Sequence, residues 1–289
     1  MAEAATGLPI QLEPLVARVL APNPSPYTAD GTNSYLVGTH DLAVIDPGPD
    51  DPGHLSALLA AIAGRPVRAI VVTHHHRDHS PLSRALAGAT GASIVGAAAL
   101  PADAPGSGEA AFDADYRPDR ALTEGDTVAG DGWTLEAIAT PGHTSNHLAF
   151  AFPQARDGAG ALFSGDHVMG WSTSIVSPPD GDMGAYMVSL EKLIPRTEPV
   201  YHPGHGAPVE RPQRLVRHML GHRRQREAQV LRQLRDGGEQ ALSALVPPLY
   251  VGLDPRLLPA AERTVLAHLL DLQRRGLVVC GTEAWKAAC

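Results

Sequence analysis

His74-x-His76-x-Asp78-His79 puts four side chains able to ligate a cation into one short run. Two histidines separated by a single residue on extended backbone point to the same side. A turn after them swings Asp78 and His79 round from another direction, so one segment could give two donors to each of two neighbouring cations. Imidazole and carboxylate suit zinc and are acceptable to iron or manganese. The two cysteines, Cys280 and Cys289, sit at the C-terminal end. They leave such a centre open to water rather than closed as a structural finger, and they permit no disulfide framework across the chain. The bland alternative is a solvated His-rich loop. Against it stand His143 in Pro-Gly-His-Thr, Asp166 in Ser-Gly-Asp and His205 in Pro-Gly-His-Gly, each beside glycine that lets backbone pass close to a crowded centre.

Each of these residues follows an apolar run of strand length. Residues 67–72 predict a buried strand that feeds the histidine run. Residues 93–97, 134–139, 148–152, 161–164 and 200–201 predict further strands, and residues 32–46 predict two strands joined by a turn at 38–41. Helical spacing predicts a helix over 50–63 with Leu55, Leu58, Leu59 and Ile62 as its apolar stripe, and Gly64 as its stop. Ser80 and Pro81 read as N-cap and first residue of the next helix, ended by Gly91, and Asp182 reads as the cap of a helix over 183–194. Four times an apolar strand delivers a His or Asp at its end, as a layered α/β sandwich presents ligands along one sheet edge. Residues 101–120 read as a polar loop-rich stretch. Beyond Pro208 the chain turns helical, over 211–236, 240–249 and 259–276, with a short strand at 277–280.

Taken together, residues 73–79, 141–144, 165–166 and 204–206 resemble the metallo-β-lactamase-fold hydrolase superfamily. The resemblance implies a four-layer αββα sandwich over residues 1–210 and a small winged-helix-like domain over 211–289. It implies that His74, His76 and His143 hold one metal, that Asp78, His79 and His205 hold a second, and that Asp166 bridges them. Two Zn2+ are expected, with Fe or Mn as alternatives. Paired cations would generate hydroxide at neutral pH, with Asp78 as proton shuttle and Asp166 orienting the nucleophile. Within the superfamily the full ligand set resembles the glyoxalase II-like and RNA-processing branches rather than the true β-lactamases. Residues 23–35, 171–182, 222–227 and 257–263 resemble the lactamase-β-like group, whose animal members look like endoribonucleases for single-stranded RNA.

Other histidines, His75, His147, His167 and His202, border the ligand segments. Ordinary packing or hydrogen bonding is expected of each, with support of a ligand also open to His147. Asp46 reads equally as a brace for the ligand loop or a turn aspartate. The helix over 211–236 carries Arg211, Arg214, Arg217, Arg223, Arg224, Arg226, Arg232 and Arg235 against Glu227 and Asp236. It reads evenly as a phosphate-binding face for RNA or as a solvated helix in a protein with almost no lysine.

The expected function is metal-dependent hydrolysis of single-stranded RNA or another phosphodiester, or of a small thioester or lactone. The alternatives are an oxidoreductase akin to persulfide dioxygenases with one iron, and a non-catalytic RNA-binding adaptor. A net charge of −8 argues against a protein coated for nucleic acid. No apolar run reaches the ~20 residues of a membrane helix, and the first residues lack a basic start followed by an apolar stretch. A cytoplasmic, non-membrane protein is expected.

Overall fold

A computed structural model describes residues 6–101, 111–282 and 284–288. Cys289, the first five residues and the middle of the polar stretch over 101–120 lie outside the described residues. The chain divides into two compact units, one of residues 1–140, 146–173 and 197–212, the other of 141–145, 174–196 and 213–289.

Two sheets make the body of the first unit. One has seven strands in sequence order: β1 (Pro9–Glu13), β2 (Val16–Leu20), β3 (Asn33–Val37), β4 (Leu42–Ile45), β5 (Val67–Val72), β6 (Ser93–Gly96) and β7 (Arg120–Ala121). Pairing is antiparallel up to β4 and parallel from β4 to β7. The other sheet holds β8 (Thr127–Gly130), β9 (Trp133–Ala139), β10 (Leu148–Phe152), β11 (Ala161–Gly165), β12 (Val200–Pro203) and β13 (Val209–Glu210), in reverse spatial order. There only β11 and β12 run parallel. Alternation along the strands builds two cores. Tyr35, Val37, Ala43, Ile45, Ala69 and Val71 face Leu135, Phe150, Phe152 and Phe163 of the second sheet. Leu36, Leu42, Val44, Ile70 and Val72 point the other way, onto α1 (Pro52–Ile62) and α2 (Leu82–Thr90).

Three local expectations need correction. Leu59 of α1 is exposed, and the buried position is taken by His54, whose Nε2 meets Ser34 Oγ at 2.9 Å. Residues 67–72 form a strand but not a continuously buried one, because Arg68 turns outward to Asp41. Ser80 caps nothing. Its hydroxyl reaches Asp113 Oδ2 at 3.0 Å, and α2 starts without a side-chain cap. Strands β1, β2, β8, β7 and β13 had no counterpart in the sequence reading.

The second unit contains α3 (Met183–Leu193), nearly all of α4 (Pro212–Gly237), α5 (Leu242–Leu249), α6 (Leu258–Arg274) and the hairpin of β14 (Val278–Cys280) and β15 (Trp285–Ala287). Asp182 caps α3 by accepting from Ala185 N at 2.8 Å. Val230, Leu234, Leu245, Val265, Leu269, Leu272 and Trp285 form its core. The arginines of α4 separate into two kinds. Arg223 is buried, donates to Ser174 O and lies over the Tyr186 ring, while Arg226 donates to Leu249 O and lies over Tyr250. Arg214, Arg217, Arg224, Arg232 and Arg235 are exposed. At the helical pitch these five fall within an arc of about 80°. Among the described residues, no helix is long and apolar enough to cross a membrane.

Candidate metal centre

Strand β5 ends at Val72, and the following loop carries Thr73 to His79 across the end of the seven-stranded sheet. Strand β11 ends in Gly165 and presents Asp166. Strand β12 ends in Pro203 and presents His205 two residues later. These three strand ends bring Asp78, His79, Asp166 and His205 together, each with one ligand atom within 4.8 Å of the others. His205 Nε2 lies 3.1 Å from Asp78 Oδ2 and 3.3 Å from Asp166 Oδ2, and His79 Nε2 lies 3.5 Å from an oxygen of each carboxylate. All are buried except Asp78, whose side chain is 27% exposed. Close packing here requires glycine. A Cβ on Gly204 would collide with the Asp166 carboxylate and the His79 ring, and one on Gly165 would lie 2.6 Å from His147 Nε2.

On the same loop His74 Nε2 and His76 Nδ1 lie 3.0 Å apart. The His76 ring stacks on Phe112 with an interplanar angle of 11°. His143 sits on the 141–145 loop, which belongs to the second unit, with its Nδ1 2.6 Å from Ile175 O.

Hydrogen-bond chemistry fixes which ring nitrogens carry protons. Asp46 accepts from Thr73 N and, on Oδ2, from Thr73 Oγ1 and His79 Nδ1, at 2.8, 2.8 and 2.9 Å. The Thr73 hydroxyl has one proton and spends it on Asp46, so it accepts from His74 Nδ1 at 2.9 Å. One carboxylate therefore holds Nδ1–H on both His74 and His79 and aims both Nε2 atoms at the centre. His205 Nδ1 donates to Gly31 O at 3.2 Å, which aims its Nε2 inward too. Asp46 adopts φ 47°, in the left-handed region, where a short polar side chain is tolerated. It is the loop brace, the first of its two sequence readings.

Three further residues secure the ligand loops. Asn33 Nδ2 donates to Pro203 O and Gly206 O at 3.0 and 2.9 Å, and Tyr35 OH donates to Pro203 O at 2.7 Å. His147 Nε2 accepts from Asp166 N at 3.1 Å, which leaves its Nδ1 to donate to Thr140 Oγ1 at 2.8 Å. His147 thus supports Asp166. His75 Nδ1 pairs with Asn146 Oδ1 at 3.0 Å and His202 Nε2 with Glu13 Oε1 at 2.9 Å, and neither joins the donor clusters. Sequence reasoning had no access to the Gly31 carbonyl or to Asn33 as partners of the His205 loop, because backbone acceptors from remote segments leave no spacing signal.

Electrostatics favours positive charge here. Burial alone would raise the Asp78 and Asp166 carboxyls, but the charges and hydrogen bonds of His79 and His205 outweigh it and hold both well below the usual carboxylate range. Burial would lower His205, yet Asp166 and Asp78 push it up to about 9. His79 Nε2 and His205 Nε2 face each other at 3.3 Å, each with its other nitrogen already donating. Asp78 and Asp166 favour protons on both of these Nε2 atoms, and those are protons a metal ion can replace. A cation between them satisfies both rings and the two carboxylates, so the residues present fit a divalent metal.

A sandwich of two sheets that gathers imidazole and carboxylate donors at its strand ends defines a metallohydrolase. This chain belongs to the metallo-beta-lactamase superfamily, whose family model matches residues 27–205. The model of the beta-lactamase associated winged helix domain matches residues 242–285. The αββα sandwich with a C-terminal winged-helix region, expected from the sequence, is the architecture of the protein, and its class is hydrolase. The chain is 30% identical over 273 residues to a beta-lactamase-like protein 2 homolog of Drosophila melanogaster, covering 90% of this chain and 88% of that one. It is 31% identical over 235 residues to an atrochrysone carboxyl ACP thioesterase of Aspergillus fumigatus, covering 78% and 66%. Among solved structures, a beta-lactamase domain protein from Burkholderia ambifaria superposes with a TM-score of 0.83 at 22% identity, covering 99% and 96%. A metallo-beta-lactamase family protein from Thermus thermophilus gives 0.77 at 23%, covering 96% and 100%. At such identities the superpositions speak for the fold alone.

Proposed function

We propose that this protein is a zinc-dependent thioesterase that hydrolyses small acyl thioesters at a centre for two metal ions. His74, His76 and His143 would hold one ion; Asp78, His79 and His205 would hold the other, with Asp166 between them. The observation that carries the reading is the Asp46-braced loop that holds His74 and His79 by Nδ1 and so turns both Nε2 atoms inward, on the segment that also carries Asp78. Likeness to proteins named thioesterase supplies the substrate class. Two divalent ions bound there supply Lewis acidity for activating water and polarising a carbonyl.

In the reaction a water oxygen bonds to the acyl carbon, the C–S bond breaks, and the products are a carboxylic acid and a thiol. The part-exposed Asp78 carboxylate is the residue that can accept a proton from the attacking water and pass it to the departing sulfur. Asp166 is held by its backbone N–H to His147 and orients the attack.

A second reading, metal-dependent cleavage of single-stranded RNA, is favoured by the exposed arginine stripe on α4. The deciding experiment is turnover of zinc-loaded protein on a panel of acyl thioesters, followed by thiol release, alongside labelled single-stranded RNA. Thiol release that disappears in Asp166→Asn supports the thioesterase. Zinc-dependent RNA cleavage without thiol release would replace it with the nuclease.

A further inference from the structure

Aromatic residues are scarce in this chain, four Phe, six Tyr and three Trp. All lie within the described residues, and only Tyr27 and Trp171 are exposed, at 44% and 41%. These two come from remote parts of the sequence, yet both lie on loops that abut the His205 loop. The Tyr27 loop runs into Gly31, whose carbonyl receives His205 Nδ1, and into Thr32, which bridges to His205. Trp171 packs so closely on the His205 loop that a Cβ on Gly206 would lie 2.6 Å from its Cδ1.

Neither ring rides on a slack segment. Tyr27 N donates to Ser25 Oγ at 3.0 Å, Thr28 Oγ1 to Asn23 O at 2.6 Å, and Asn23 and Thr32 exchange two bonds at 2.9 Å. The Trp171 loop leaves Asp166 through a tight turn, His167 N to Ser164 O at 3.1 Å, and is anchored by buried Val168 and Met169. Trp171 therefore stands where the loop after one carboxylate donor crosses to the loop of a histidine donor. The two exposed Tyr and Trp rings thus sit on ordered loops that meet the loop of a histidine donor, where ring surface can bind the apolar part of a small molecule.

We propose that Tyr27 and Trp171 form the acyl-binding rim of this site and select thioesters whose acyl group carries a flat aromatic ring. The inference rests on the thioesterase reading for its substrate and on these loops for its geometry. A planar acyl group covers exposed ring surface and gains offset or edge-to-face contact, which an acetyl group cannot supply.

The test compares zinc-loaded wild type, Trp171→Ala, Trp171→Phe and Tyr27→Ala on 2-naphthoyl and acetyl thioesters of one thiol. Either alanine variant is expected to lower the naphthoyl-to-acetyl ratio of kcat/KM by about 5- to 10-fold, mainly through KM, and Trp171→Phe to restore most of it. Independently of turnover, 2-naphthoate should quench tryptophan emission of the wild type, and Trp171→Ala should remove that saturable part. Buried Trp133 and Trp285 provide the unchanged background. An unaltered ratio, or quenching that survives Trp171→Ala, overturns the rim. If no thioester is hydrolysed, the thioesterase reading fails, and the naphthoate titration still decides the rim.

Discussion

Asp46 shows how much of the centre depends on a residue that need not touch a cation. Its Oδ2 accepts from His79 Nδ1 directly and from Thr73 Oγ1, which in turn accepts from His74 Nδ1. Removing the carboxylate frees both imidazoles to turn or to take the other tautomer. Asp46→Ala should therefore weaken zinc binding by about 10- to 100-fold, as losses of such supporting partners do. Metal competition against a chromophoric chelator measures this; zinc affinity equal to wild type would remove Asp46 from the design. The clustered donors were legible in the sequence because His-x-His-x-Asp-His packs chemistry into local spacing. Asp46 was half legible, since a turn aspartate and a brace look alike until Thr73 and His79 are seen beside it. The Gly31 carbonyl, Asn33 and the Trp171 contact with Gly206 were not legible. Each joins segments far apart in sequence.

At the scale of elements, most interior strands announced themselves, whereas the edge strands and β2 did not. Strand β5 reads from its apolar run, while β1 is largely exposed at the sheet edge and lacks a buried face to impose alternation. The helices of the second unit were placed correctly from spacing, but their interior chemistry was hidden. His268 on α6 is fully buried, and neither ring nitrogen has a hydrogen-bond partner among the described residues. Burial, and then the nearby charges of Arg223, Arg226, His222 and Arg275, push its pKa down to about 3. The unfolded chain, with the ordinary value of 6.5, binds a proton that the folded chain refuses. Stability is thus retained above pH 6.5 and lost as pH falls from there toward 3, with a slope of about 1.4 kcal/mol per pH unit. His222, pushed down to about 4 by burial and the charges of Arg223 and Arg226, adds in the same direction, screened by its partial exposure. Denaturation between pH 7 and 5 should show this slope, and His268→Leu should reduce it while holding or raising stability at pH 7, since it removes unsatisfied polar atoms. An equal slope in that variant would mean that other groups govern the acid limb.

At the scale of the molecule, the first unit places its donors where its two sheets end, so its fold and its centre share one set of contacts. Asp46, Asp78 and Asp166 are packed with His79 and His205, and all but the part-exposed Asp78 are buried. Such a cluster of carboxylates costs stability unless positive charge accompanies it. Bound cations would supply that charge in the folded chain and would have no preformed site in the unfolded one. At free metal about 100-fold above its dissociation constant, linkage contributes about 2.7 kcal/mol. In a domain of this size each kcal/mol moves the midpoint by about 2–4 °C. Stripping with a strong chelator should therefore lower the Tm of the wild type by about 5–10 °C, and re-addition of zinc should restore it. Asp166→Asn supplies the control, because it weakens the centre without opening a cavity and should shrink the chelator-induced shift. A wild-type midpoint that ignores the chelator, in protein whose zinc content has been measured before and after, would show that the donors stand together for hydrogen bonding alone and that the proposed hydrolysis has no cation to draw on.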